Sequence, residues 1–334
     1  MEEALVEALS CGDGEMQILA AKSLCELTSK QRHRLAEKGV ISPLVFMLHS
    51  QDYDAIKAAL FALLGLASGS ERNKIRITKS GAVPVLLELL HCQNQSLLEL
   101  AMAALLILSS CSANRVEIAA CGTVQVLVEI LNDNNNNTQV MSLQAKLDLI
   151  ATLHNLSTCH QIFPSIVSSG LAGSLVQLIH GSEKSSELVE KATGLLERTV
   201  SCSEIALREA ASTGGAIQAM VEALEEGSLI CKEQAVSILV LICQSCKERY
   251  RGLILREGVM PGLLQLRVDG TWRAKDLADT LLLLLRDCSG QGRGSRRKQW
   301  ENALLEQAME QIDADERVGT VLRLVEETIA KLST

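Results

Sequence analysis

The chain has 334 residues, of which 47% are hydrophobic but only 2% are aromatic, and its formal net charge is −8. The acidic balance argues against nucleic acid as the main partner, because no basic face of the required size can be assembled. No apolar run approaches the ~18 residues of a membrane span, and a core of Leu, Ile, Val and Ala with so few rings is typical of helices packed on helices.

The N-terminal segment and the cysteines indicate the cellular compartment. MEEALVEALS begins with acidic residues and lacks the basic region of a secretory signal. Most of the eleven cysteines fall in or beside apolar helical segments, where a thiol acts as a small hydrophobe. Only Cys243 and Cys246 have a metal-like spacing, and no second pair accompanies them to complete the four ligands of a zinc site. We expect free thiols, no metal, no cofactor, and a cytoplasmic or nuclear location.

A glycine followed by an apolar segment recurs along the chain at intervals of 41 to 48 residues. Examples are GVISPLVFML at Gly39 and GAVPVLLELL at Gly81. The remaining anchor glycines are Gly122, Gly170, Gly215 and Gly258. A longer Ala- and Leu-rich helix follows each apolar segment, and a short polar helix precedes most of them. Three helices per unit with this period indicate armadillo repeats.

The residue types fit the geometry of such a repeat. Glycine allows the positive φ of the tight connection between the first and second helices. Pro43, Pro84 and Pro261 lie in the opening turn of the second helix, where a missing N–H costs little. One unit cannot bury its own apolar face, so the leucines of the third helix fill a core shared with the next repeat. We therefore predict an all-α, right-handed armadillo-repeat solenoid (an alpha-alpha superhelix) of about six to seven repeats.

The repeats also predict the domain organisation. A partial repeat opens the chain, and further repeats begin near residues 30, 71, 114, 160, 204 and 248, so that one armadillo domain covers residues 1–287. The longest interval contains NDNNNNTQVMSLQ (132–144), whose four asparagines at 134–137 disfavour helix. We interpret this tract as a tolerated surface insertion between the second and third helices, in preference to a functional loop.

Two late segments carry a more specific resemblance. GAIQAMVEALEEGSLICKEQAVSILVLIC (215–243) and GVMPGLLQLRVDGTWRAKDLADTLLLLLRD (258–287) resemble the penultimate and terminal armadillo repeats of the plant U-box ubiquitin-ligase family. In that terminal repeat Gly-Thr-x-Arg-Ala-Lys precedes a leucine helix, as residues 270–275 do here. Trp272 falls at the variable position of the motif, and we expect it to cap the end of the core in preference to serving as an exposed anchor.

The resemblance implies a function as well as a fold. U-box ligases carry a domain upstream of their repeats that docks the ubiquitin-conjugating enzyme, and this chain begins inside its first repeat. The resemblance therefore implies a non-enzymatic scaffold in plant ubiquitin-linked or signalling regulation, which binds an extended or helical segment of a partner protein. The alternative is the substrate-recognition part of a U-box-type ligase whose U-box is absent from this chain.

The partner is expected in the concave groove that the third helices line. The family pattern Ala-Leu-x-Asn-Leu marks one groove position on each third helix, and only Asn155 keeps the asparagine. Side chains near the middle of the groove are mostly apolar. The candidate partner-binding residues are Lys22, Glu26, Phe61, Ile107, Asn155, Arg198 and Leu241.

Glu99, Glu190 and Glu233 lie near the starts of third helices and leave two interpretations open. A carboxylate stabilises a helix N-terminus, which is the interpretation that we favour. Alternatively, the carboxylates belong to a groove that takes a segment with apolar anchors and some positive charge. A nuclear-import adaptor is disfavoured, because such adaptors stack tryptophans of successive third helices around lysine stems, and neither tryptophan lies on a central third helix.

No catalytic arrangement emerges from the sequence. His154 and Asn155 near Cys159 could suggest a Cys-His-Asn set, but the N–H groups of a helix interior are already bonded and cannot bind an oxyanion. No phosphate-binding or dinucleotide motif follows a strand. We predict that the protein is not an enzyme.

The sequence changes character after Asp287. A Gly/Ser segment at 288–298 is basic, and we interpret it as a solvated linker in preference to a nuclear-import signal or a kinase site at Ser295. Amphipathic helices are expected within 299–334. They either cover the end of the last repeat or form a homodimer.

Overall fold

The computed structural model describes residues 2–133 and 141–286, which form twenty α-helices and a short 3-10 helix at Ser112–Asn114. These two ranges contain no strand. The helices follow one another in a fixed order of three types, which we call the first, second and third helices of a repeat. Four features predicted from the sequence lie outside the described residues. They are the asparagine tract, the basic linker, Ser295 within it, and the predicted C-terminal amphipathic helices.

The chain opens with a second helix. The second helices are α1 (Glu2–Cys11), α4 (Ile41–Met47), α7 (Ala82–Leu90), α10 (Thr123–Asp133), α13 (Leu171–His180), α16 (Ala216–Glu226) and α19 (Met260–Asp269). The third helices are α2 (Gly14–Cys25), α5 (Tyr53–Ala67), α8 (Gln95–Ser110), α11 (Leu143–Ser157), α14 (Glu187–Cys202), α17 (Leu229–Ser245) and α20 (Trp272–Leu285). The first helices are α3 (Ser29–Glu37), α6 (Glu71–Lys79), α9 (Arg115–Ala120), α12 (Phe163–Ser168), α15 (Glu204–Ser212) and α18 (Lys247–Arg256).

The anchor glycines set the connection between the first and second helices. All six have a φ between +77° and +92°, in the left-handed region that L side chains rarely adopt. At Gly81, Gly170 and Gly215 the glycine is itself the N-cap of the second helix. The predicted role of these glycines is confirmed.

Side-chain caps fix the start of every third helix that the structure describes. In each case an Asp, Asn, Ser or Thr side chain accepts a hydrogen bond from a backbone N–H of the first turn, which stabilises a helix by about 1 kcal/mol. The seven caps are Asp13, Asp52, Asn94, Ser142, Ser186, Ser228 and Thr271.

The chain divides into two compact units, Met1–Ser169 and Gly170–Thr334. The predicted extent of the armadillo domain, residues 1–287, stays a prediction, because a division by contacts is expected within any repeat array. Each repeat of such an array packs mainly on its neighbours, so contacts do not join distant repeats into one body. We call the two bodies unit 1 and unit 2 and describe each by itself.

Within each unit, consecutive third helices pack side by side. In unit 1, α5 lies between α2 and α8, and α8 in turn packs on α11. In unit 2, α17 lies between α14 and α20. The buried stripe of α8 shows the pattern, with Leu97, Ala101, Leu105 and Leu108 at most 2% exposed. Burying one such leucine contributes about 1.5–3 kcal/mol.

The ten described cysteines are free thiols. Cys231 and Cys243 are fully buried, and desolvation raises the pKa of both thiols. Cys25 and Cys202, the last residues of α2 and α14, are exposed, so these two thiols do not act as buried hydrophobes. No single helix of the described ranges is long and apolar enough to cross a membrane; α8 and Ser112–Ala120 reach that length only together, and they are bent by 105°.

The expectation that Trp272 caps the core is wrong. Trp272 is the first residue of α20, and its side chain is 82% exposed. The buried face of α20 consists of Ala274, Ala278, Leu281, Leu282 and Leu285. Position 272 falls off this face, because the stripe that begins at Ala274 recurs at helical spacing.

Candidate partner-binding groove

The structure places the predicted groove residues of unit 1 on successive third helices. Phe61 on α5 is 45% exposed. Ile107 on α8 is half-buried, and Lys22 on α2 is exposed. Glu26 is exposed but lies one residue beyond α2, where it forms the C-cap. We call the surface of α2, α5, α8 and α11 that carries these residues the third-helix surface of unit 1.

Asn155 contributes to packing as well as to this surface. Its side-chain nitrogen Nδ2 donates a hydrogen bond to Ser109 Oγ at 3.1 Å, which joins α11 to α8. One of the two N–H groups of this amide is therefore engaged inside the chain.

Unit 2 carries the two remaining predicted residues. Arg198 on α14 and Leu241 on α17 are both half-buried. They belong to the third-helix surface of unit 2, formed by α14, α17 and α20.

A cavity of about 280 Å³ opens on the third-helix surface of unit 1. Its walls come from α5, α8 and α11 together with the Ser142 cap. Phe61 and Ala103 provide apolar surface, while Glu99 and Asp148 provide carboxylates. Small-molecule sites usually measure about 300–1,000 Å³, so this cavity has the size for a single side chain or a small group.

The two carboxylates of the cavity are held in different ways. Asp148 is only 8% exposed and accepts a hydrogen bond from Gln144 Nε2 at 2.8 Å. Hydrogen bonds from Gln95 and from the hydroxyl and backbone N–H of Ser142 lower the pKa of Glu99. Neither carboxylate forms an ion pair with another described residue. The exposed ammonium of Lys57 also lines the cavity, which leaves one negative charge in excess.

A recurring contact explains the glutamates near the helix starts. Ser228, the cap of α17, donates to Glu190 Oε2 of α14 at 2.6 Å. Thr271, the cap of α20, likewise donates to Glu233 of α17. Ser142 makes the equivalent contact with Glu99 in unit 1.

We call each of these contacts a capping bridge. The glutamates do act at a helix N-terminus, as the favoured interpretation held, but at that of the next third helix. A capping bridge therefore joins two repeats while it completes the cap of one of them.

In unit 2 an arginine of the chain itself neutralises the carboxylates. The guanidinium of Arg273 donates to Glu233 at 2.8 Å and to Glu197 at 2.7 Å. The ion pairs join α20 to α17 and α14, and both glutamate side chains are less than one-fifth exposed. No arginine is among the described residues that line the cavity of unit 1.

The described ranges contain no group of three or more His, Cys, Asp or Glu side chains that could hold a metal ion. Of the CQSC pair, Cys243 is buried and Cys246 is exposed.

Comparison with known proteins gives a partial match in sequence. No protein-family model matches the chain. It is homologous to plant U-box proteins over about 40% of its length. The chain is 31% identical over 148 residues to U-box domain-containing protein 45 of Arabidopsis thaliana, which covers 43% of this chain and 18% of that protein. It is 30% identical over 128 residues to U-box domain-containing protein 1 of Medicago truncatula, or 38% of this chain and 18% of the relative. The chain therefore spans less than one-fifth of the length of these relatives.

Solved structures match most of the chain. A crystal structure of an engineered protein from the Northeast Structural Genomics Consortium superposes with a TM-score of 0.69 at 24% identity, covering 98% of this chain and 78% of its own. A designed armadillo repeat protein superposes with a TM-score of 0.59 at 19% identity, covering 74% of this chain and 100% of its own. The fold is that of the armadillo-repeat proteins. At these identities the armadillo likeness establishes the fold alone.

Two candidate functional residues, Gln144 and Asp148, were not predicted from the sequence. Both follow the asparagine tract, so the repeat pattern is weakest just before them. Asp148 lies between Ala145 and Thr152 on the buried face of α11. An acidic residue within an apolar stripe was the available signal.

Proposed function

We propose that the protein is a non-enzymatic scaffold that binds a segment of a partner protein across α5, α8 and α11. The observation that carries this proposal is the cavity beside Phe61. An aromatic side chain that is 45% exposed next to a concave site with a few polar groups is typical of a binding anchor. Homology to plant U-box proteins supports a role in plant ubiquitin-linked or signalling regulation, at a cytoplasmic or nuclear location.

A second candidate function is the substrate-recognition part of a U-box-type ubiquitin ligase. The homology to plant U-box proteins is compatible with this function as well as with the first. The two functions share the same binding surface. Reading the transcript upstream of residue 1 separates them, since only the ligase component requires an encoded U-box.

The binding experiment uses the full chain and a random-peptide phage library. Peptides selected on the wild type are then measured with the variant Phe61→Ala. We expect its affinity to fall by about 30-fold, because a central aromatic anchor contributes about 2 kcal/mol or more.

Phe46→Ala is the matched control. Phe46 is 75% exposed, but it lies on the second helix α4 and does not line the cavity. We expect it to leave affinity unchanged. Equal affinity of wild type and Phe61→Ala for the selected peptides would contradict the proposed site.

A further inference from the structure

Unit 2 shows how a third-helix surface of this protein holds a guanidinium. Arg273 is the second residue after the cap Thr271, and it binds Glu233, the fifth residue after the cap Ser228. A capping bridge from Thr271 to the same glutamate fixes the distance between the two helices. The capping bridge therefore holds Glu233 in place, and the guanidinium of Arg273 binds the carboxylate in that position.

The same positions in unit 1 lack the arginine. Glu99 is the fifth residue after the cap Asn94, and Ser142 forms the capping bridge to it. The second residue after Ser142 is Gln144, where α20 has Arg273. Gln144 bonds to Asp148 of its own helix. The cavity lies where a guanidinium would reach Glu99.

We propose that this cavity takes the arginine side chain of a partner segment, an inference that rests on the proposed function. Glu99 and Asp148 supply oxygens for a planar, multiply bonded guanidinium. The ring of Phe61 offers a face on which the guanidinium can stack. The volume of about 280 Å³ suits one long side chain.

The burial of Asp148 gives a reason for a cation to enter. The residue is only 8% exposed, and among the described residues the recorded hydrogen-bond donor to its carboxylate is a neutral amide, that of Gln144. A buried carboxylate without a positive partner is unfavourable, and a guanidinium would balance it. Lysine fits less well, because an ammonium is a strongly hydrated point charge that cannot bind two carboxylates in a planar fork.

The first test uses a small probe on the full chain. Nα-acetyl-L-arginine amide is titrated into isotope-labelled protein while the backbone amide signals of Ala103 and Ala145, two cavity residues, are followed by NMR. We expect saturable shifts with the arginine probe. The lysine probe should bind several-fold more weakly, and the uncharged citrulline probe should not bind. Equal binding of arginine and citrulline, or no saturable shift, would overturn the inference.

The second test fills the cavity from within. Gln144→Arg places a guanidinium where α20 has Arg273, so we expect an unchanged or raised melting temperature and loss of probe binding. Glu99→Gln should weaken the probe by about tenfold or more, the value of one charge-assisted hydrogen bond. Glu88→Gln, on the exposed side of the second helix α7, is the control that should bind as wild type.

The outcomes separate this inference from the proposed function. If selected peptides bind and depend on Phe61 while the arginine probe does not, the scaffold function stands and the arginine site falls. If the probe binds and no peptide is selected, the arginine site stands and the scaffold function falls. Retained probe binding in Gln144→Arg would overturn the assignment to this cavity.

Discussion

Six glycines hold left-handed backbone conformations before the second helices, but their surroundings differ. A Cβ built on Gly81 meets no atom within 4 Å, whereas a Cβ on Gly215 lies 3.0 Å from the ring of His180. At Gly81 glycine is needed only for its positive φ. At Gly215 it is needed also because it has no side chain, since the imidazole of His180 packs against the backbone there.

Alanine substitutions should separate the two demands. Gly81→Ala should destabilise the protein by about 1–2 kcal/mol, the cost of a left-handed L residue. Gly215→Ala should cost more, since the ring of His180 must also move. Chemical denaturation monitored by circular dichroism gives both values.

Gly252→Ala is the control for these substitutions. Gly252 lies inside α18 with an ordinary helical φ and open space around it. Alanine there should stabilise the helix by about 0.5–1 kcal/mol. A Gly215→Ala cost no larger than that of Gly81→Ala would show that the contact with His180 is unimportant.

Single residues were predictable from the sequence where a local rule governs them. The anchor glycines belong to this class, because a tight connection admits few other residues. Trp272 does not, since its exposure depends on which face of α20 meets the preceding repeat. Nor do Glu190 and Glu233, whose partners lie 38 residues further along the chain.

The capping bridges couple neighbouring helices through short polar contacts. Ser228 both accepts from Cys231 N–H of its own helix at 3.1 Å and donates to Glu190 of the helix before it. Ser186 caps α14 in the same way, but its hydroxyl donates to the nearby carbonyl of Glu183 instead. The two serines therefore differ chiefly in the contact between repeats.

A double-mutant cycle measures this contact. Ser228→Ala and Glu190→Gln should each destabilise the protein, and together they should cost less than the sum. The expected coupling is about 1–2 kcal/mol, since the hydrogen bond is charge-assisted but partly exposed. The cycle of Ser186→Ala with Glu190→Gln should show a smaller coupling. Equal couplings would deny the bridge any specific role.

The capping bridge at Glu99 predicts a dependence on pH. Gln95 and Ser142 bond to the ionised carboxylate, so folding lowers the pKa of Glu99 below its ordinary value of about 4.3. Its contribution to stability is then present above the unfolded pKa and lost as the pH falls through the folded pKa. The melting-temperature advantage of wild type over Glu99→Gln should therefore shrink on acidification below about pH 4.3.

Removing one donor tests the cause of this effect. Ser142→Ala keeps Glu99 but removes one hydroxyl donor to it. The melting-temperature difference between Ser142→Ala and the double variant Ser142→Ala/Glu99→Gln should therefore depend less on pH. A melting-temperature advantage of wild type that grows on acidification would contradict a lowered pKa of Glu99 in the folded protein.

The helices of the candidate site were easier to predict than the site itself. Periodicity identified the third helices and placed Phe61 on their surface. The cavity was not predictable, because its walls come from side chains of three different helices, among them the small Ala103 of α8. Sequence patterns describe one helix at a time and do not show how side chains of different helices enclose a space.

Because the chain divides into two compact units, we expect a destabilising substitution in one unit to leave the other unit unaffected. Leu239 on α17 is fully buried, and Leu239→Ala should cost about 2–5 kcal/mol. Because repeats are coupled mainly to their neighbours, hydrogen exchange should accelerate in α14, α17 and α20. Exchange in α5 and α8 of unit 1 should stay unchanged. Uniform acceleration over both units would instead indicate one cooperative body.

The capping bridges have a bearing on how such a chain can change its length. The bridges from Ser228 and from Thr271 both span 38 residues. Consider a genetic duplication or excision whose ends fall at equivalent residues, such as Glu190 and Glu233. The spacing of 38 residues is then kept, so each capping hydroxyl again finds a glutamate carboxylate on the preceding third helix. Unequal crossing-over could therefore add or remove whole repeats and still leave a capping bridge where the two cut ends are joined.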